Sequence, residues 1–68
     1  MSNKLLTTEQ IYHQIELYCL SNHILYEEEQ LGEWADDLLN IIYSIGGAPT
    51  SLIVEKMLPE YITQVNIN

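Results

Sequence analysis

The chain has 68 residues, a single cysteine and ten carboxylates against two lysines, for a formal net charge of −8. That balance argues against binding nucleic acid or an anionic membrane surface, because Lys4 and Lys56 cannot neutralise a row of phosphates, and one cysteine excludes an internal disulfide. A chain this short buries only about 60% of its surface on folding, so one marginal domain, residues 1–68, is expected, with an apolar seam shared between two copies supplying burial that one copy lacks.

The first helix announces its start. Thr7 followed by Gln10 has capping-box spacing, and Leu6 with Ile11 falls at the positions of a hydrophobic staple. Ile11, Ile15 and Tyr18 then recur at helical spacing, with Tyr12 and Cys19 beside them, which predicts a helix over 8–21. Ser21-Asn22-His23 reads as its end, since all three residues favour local side-chain bonding or a left-handed cap.

The second helix is expected over 26–45. Leu31, Trp34, Ala35, Leu38, Ile41, Ile42 and Ile45 fall within about 120° of arc when each residue advances 100°. Gly46-Gly47 ends it, one of them in the left-handed conformation. Glu29, Glu33, Asp36, Asp37, Asn40 and Ser44 occupy the opposite arc, so the acidic run reads as a stripe on a helix. Gly32 interrupts this helix at a cost of about 1 kcal/mol against alanine, unless close helix packing or a partner's approach requires it.

After Ala48-Pro49, Thr50 or Ser51 can cap a third helix over 50–58 carrying Leu52, Ile53, Met57 and Leu58. Pro59 is expected to interrupt it, with a short C-terminal turn through Tyr61, Ile62 and Val65 and a frayed end. The fold class is therefore all-α, a three-helix antiparallel arrangement assembled as a homodimeric helical bundle. No apolar run approaches the roughly 20 residues of a membrane span and the first residues lack the pattern of a secretory signal, so no membrane contact and a cytoplasmic location are expected.

Between Leu5 and Glu55 there is no lysine or arginine, while six carboxylates crowd between Glu27 and Asp37. Like charges on one helix face each cost a few tenths of a kcal/mol, and an ordinary solvated face mixes signs. The stripe reads either as a solubilising surface, helped by Glu27, Glu28 and Glu29 at a helix N-terminus, or as the contact for a basic protein surface through Glu29, Glu33, Asp36, Asp37 and Asn40. DNA mimicry is a special case of that contact. Six charges over eleven helical residues give one per ~2.7 Å, against about one per 1.7 Å along duplex DNA.

Leu31, Trp34, Leu38 and Ile42 are assigned to the core or to a dimer seam, with Trp34 filling the core or anchoring an interface. His13, Cys19 and His23 match no zinc spacing, the carboxylates lack the pattern of a calcium loop, and no nucleophile elbow, phosphate loop or HExxH occurs. Neither a catalytic residue nor a metal or cofactor is expected. The helix-turn-helix appearance of Ile41 to Met57 reads as a helical corner, since Glu55 and Lys56 equip its second helix poorly for a major groove.

Several of these residues together resemble a known family. Tyr18-Cys19, the spacing from Cys19 to Tyr26, the run Glu27-Glu28-Glu29-Gln30-Leu31-Gly32-Glu33 leading into Leu38-Leu39, and the Ser51-Leu52 start of the third helix are similar to the small enterobacterial YmgB/AriR/YcgZ-type proteins, over about Ile15 to Leu58. The resemblance implies an all-helical, dimeric, non-enzymatic regulator, a connector acting on two-component signalling that affects biofilm formation and acid resistance. It also implies contact with DNA, from which this chain departs in having no arginine and two lysines. The expected function is thus binding of a basic regulatory protein such as a response regulator. The alternative is a phage- or mobile-element-encoded inhibitor that occupies the basic cleft of a nucleic-acid-binding enzyme.

Overall fold

Thr7 opens the first helix as its spacing with Gln10 requires. In the computed structural model, which describes residues 4–66, the Thr7 hydroxyl accepts from the Gln10 N–H at 3.2 Å, and the Gln10 side chain accepts from the Thr7 N–H at 2.9 Å. Two of the orphan donors at this helix end are thereby satisfied. Helix α1 runs Thr8–Ser21 and buries Ile11, Ile15 and Cys19, one per turn.

α1 ends on a Schellman turn. His23 takes a left-handed φ of 57°, and the Ile24 and His23 N–H groups donate back to the carbonyls of Cys19 and Leu20 at 2.8 and 3.4 Å. The chain stays extended until Glu27, so Tyr26 lies outside the second helix and its hydroxyl donates to Glu16 at 3.4 Å. Helix α2 spans Glu28–Ser44, within two residues of the expected bounds. It closes on a second Schellman turn, Gly47 N–H to the Ile42 carbonyl and Gly46 N–H to that of Tyr43, with Gly46 at φ 81°. Of the two glycines, Gly46 is the one the turn needs.

Thr50 caps helix α3, accepting from the Ile53 N–H at 3.3 Å. α3 runs Ser51–Val65 straight through Pro59, which corrects the expectation of a helix over 50–58 followed by a short turn. Proline inside a helix costs roughly 3 kcal/mol, but Pro59 and Glu55, whose carbonyl loses its donor, are both exposed to water. Beyond the proline, Tyr61 and Ile62 are buried in the core, each burial contributing about 1.5–3 kcal/mol, enough to carry the helix past the break. The Thr63 hydroxyl also donates to the Pro59 carbonyl at 2.8 Å. The expected fraying falls in part on Ile67 and Asn68, which lie outside the described residues.

Antiparallel α1 and α2 form the main packing pair, and α3 closes over them. The strap before α1 is tied to the connection between α2 and α3: Leu5 bridges Thr50, and the Leu6 N–H donates to the carbonyl of the buried Pro49 at 2.8 Å. α1 and α3 therefore leave from the same end of a body 36 × 21 × 19 Å. A single core results, built from Ile11, Ile15 and Cys19 of α1, Leu31, Trp34, Ala35, Leu38 and Ile42 of α2, and Val54, Leu58, Tyr61 and Ile62 of α3. No helix among the described residues is long and apolar enough to cross a membrane.

Candidate partner-binding surface

The buried side of α2 fixes what its other side presents. Leu31, Leu38 and Ile42 are fully buried and Trp34 nearly so, so the apolar arc assigned to a core or a dimer seam is closed inside one copy. With that phase locked, Glu29, Glu33, Asp36, Asp37 and Asn40 all emerge exposed on the outer side. No lysine or arginine among the described residues comes within bridging distance of them. Elsewhere, on α1, His13 Nδ1 lies 3.5 Å from the Glu16 carboxylate.

The stripe is not uniform. At 100° per residue Glu29, Asp36 and Asn40 fall within about 40° of one another, whereas Asp37 lies at the stripe's edge toward α3. Its carboxylate accepts a hydrogen bond from the Tyr61 hydroxyl at 2.7 Å. Burial first, then the bond to Asp37 and the charges of Asp37 and Glu33, hold the Tyr61 phenol well above the ordinary tyrosine range. Asp37 thus belongs both to the acidic face and to the α2–α3 seam, and Glu33 sits near enough to Tyr61 to act on its proton. Sequence reasoning missed this junction because it ended α3 at Pro59, and nothing local to Tyr61 signals a partner 24 residues away.

A shallow groove runs alongside, lined by Leu38 and Ile41 of α2 and by Met57, Glu60, Tyr61 and Gln64 of α3. It gives the acidic face an apolar margin with a further carboxylate at its rim.

Gly32 stands in the second turn of α2, and apart from its chain neighbours and its own helix backbone no atom lies within 4 Å of where a Cβ would be. Close helix packing within the chain therefore does not require it. The first-turn residues Glu28 and Glu29 lie where the helix dipole favours negative charge, and Gln30 accepts from the Glu27 N–H at 3.0 Å.

The three residues weighed as soft ligands are dispersed. His13 is exposed beside Glu16, with the Tyr12 ring edge-on to it at 5.6 Å, His23 forms the turn, and Cys19 is buried with its thiol pushed up by that burial. Among the described residues no three His, Cys, Asp or Glu side chains converge so as to hold a metal ion. Compared with family models, with curated proteins and with solved structures, the chain matches none of them.

Proposed function

We propose that this chain is a small non-enzymatic regulatory protein that docks a basic protein surface against the outer face of α2, as a two-component connector acting on a response regulator would. One observation carries the reading. Glu29, Glu33 and Asp36 are exposed, like-charged and, among the described residues, without a lysine or arginine in bridging distance, on a helix whose phase is locked by its buried side. An uncompensated single-signed face raises the local concentration of a positively charged partner and speeds its association. The groove through Ile41 and Met57 supplies apolar contact beside it.

The mechanism is steric and electrostatic. The partner's lysines or arginines neutralise the stripe, and whatever that basic surface otherwise binds is excluded. Replacing Glu29, Glu33, Asp36 and Asp37 by their amides should abolish capture of purified response regulators while leaving far-UV circular dichroism unchanged. Capture at wild-type strength would sink the proposal.

The six carboxylates between Glu27 and Asp37 favour one second reading, an inhibitor of mobile-element origin that takes the place of DNA in an enzyme's basic cleft. Duplex DNA should then displace it from its target. A connector should instead discriminate among response regulators with no dependence on DNA.

A further inference from the structure

Between the acidic stripe and the core, the seam of α2 with α3 stays open. Of the three helix pairs, α2 and α3 make the fewest close backbone approaches, and the gap between them is the groove floored by Leu38 and Tyr61 and banked by Ile41 and Met57. Ile45, one turn beyond Ile41 on the same side of α2, continues that apolar bank and is 68% exposed. The rim carries one sign. Asp37, one turn before Ile41, holds its carboxylate against the Tyr61 hydroxyl at 2.7 Å. Glu33 stands a turn before Asp37, and Glu60 supplies a third carboxylate from α3. Among the described residues no lysine bridges any of the three. A second groove, on the outer face shared by α1 and α3, lies between Gln14 and Leu17 on one side and Glu55 and Leu58 on the other. Lys56 adjoins its single carboxylate, so it lacks this pattern.

We propose that the occupant of this α2–α3 groove is a short amphipathic, cationic helix of the partner protein, its apolar side chains seated against Ile41, Ile45 and Met57 and its lysines or arginines set against Glu33, Asp37 and Glu60. The proposal rests on the reading of α2 as a docking face and specifies what docks there. Charge complementarity fixes the sign. An anionic segment, or another copy of this −8 chain, would bring carboxylates to a rim that has no cation to meet them. The banks call for apolar anchors, and Met57 adapts readily to the side chain it meets. Secondary structure follows from the backbone. Helices satisfy their N–H and C=O groups internally, so an extended segment lying along α2 and α3 would find no main-chain partners and would leave its own groups unpaired over apolar side chains. A helix arrives with its backbone already bonded and presents anchors at i, i+3, i+4 and i+7 along one side. From Glu33 to Ile45 the margin of the groove rises about 18 Å along α2, so a helix of roughly twelve residues covers it.

Two synthetic lysine–leucine peptides of identical composition, each of about twelve residues, test this when titrated into the full isotope-labelled chain and followed by amide NMR. One places its leucines at i, i+3, i+4 and i+7, and in the other the order is shuffled so that no apolar side forms. The patterned peptide should bind at least about tenfold more tightly, which is what seating one leucine contributes, with amide shifts centred on Ile41, Ile45, Met57 and Glu60. Met57→Gln, which changes no charge, should lower that affinity several-fold with circular dichroism unchanged. Leu25→Gln, at a turn residue 92% exposed, should have no effect. Equal affinity of the two peptides, with shifts confined to the α2 stripe, would overturn the groove proposal and leave the docking face standing. Absence of any shift at Glu29, Glu33 or Asp36 with either peptide would sink both. The groove proposal also fails if Met57→Gln binds as the wild type does, if the shifts centre on Leu17 and Leu58, or if the groove amides shift when the chain alone is concentrated, which would place a second copy there.

Discussion

The outer face of α2 and the outer face shared by α1 and α3 rest on one core, yet they respond oppositely to the same solvent. Glu29, Glu33 and Asp36 make the first a concentrated negative field, whereas Leu17 and Leu52 make the second neutral and apolar around the Glu55–Lys56 pair. Added salt screens the field of the first face and has little to screen at the second. The difference teaches that one small core can carry two surfaces of unlike chemistry, because each helix buries one side and leaves the other to be set by its own sequence.

The largest expected effect comes from the layer beneath both faces. Leu38→Asp places an unpaired carboxylate where a fully buried leucine sits, losing roughly 2–5 kcal/mol of burial and cavity energy before the cost of the buried charge. For a domain of this size that should abolish folding, seen as loss of helical circular dichroism and of cooperative urea unfolding. A variant that stays folded while losing one face alone would show that the two faces do not share a core.

Tyr61→Phe sharpens the boundary between the faces by releasing Asp37 from the α2–α3 seam. Loss of this one partly buried hydrogen bond should cost about 1 kcal/mol, the Asp37 side being open to water. The pH dependence has a definite sign. Below the ordinary tyrosine value of about 10, the phenol is protonated both folded and unfolded and contributes no slope. Above it the unfolded chain ionises first, because the fold holds the Tyr61 pKa higher, so stability falls as the solution becomes more alkaline. Urea titrations on either side of pH ~10 should therefore show a shallower alkaline loss in Tyr61→Phe than in the wild type. Equal slopes would remove Tyr61 as the cause.

The smallest effect has the opposite direction. Gly32→Ala adds a methyl group to open space in the second turn of α2 and should stabilise the protein by up to about 1 kcal/mol, raising Tm by several degrees. If capture of a basic partner weakens even as Tm rises, the glycine marks where that partner approaches α2. Destabilisation would mean that the backbone at Gly32 is not ordinary helix.

Much of the fold is legible locally. The Thr7–Gln10 box, the phase of Leu31 through Ile42 and the Gly46 turn each depend on side chains within one or two helical turns, so spacing alone specifies them. The acidic stripe is legible for the same reason, because once α2 buries its apolar arc the remaining residues have nowhere to go but outward. α3 is different. Its local signal at Pro59 says stop, and only the burial of Tyr61 and Ile62 against α1 and α2 overrides it.

By itself, then, the sequence determined three helices, the phase of α2 and the sign of its outer surface, since each follows from short-range periodicity and from charges that no folding can remove. Tertiary structure alone decided that α3 runs past its proline, that Asp37 is tied to Tyr61, that Gly32 faces open space, and that Leu17 and Leu52 stay exposed. These depend on which distant segments meet and which do not, and the energy of such contacts is written in no single stretch of the chain.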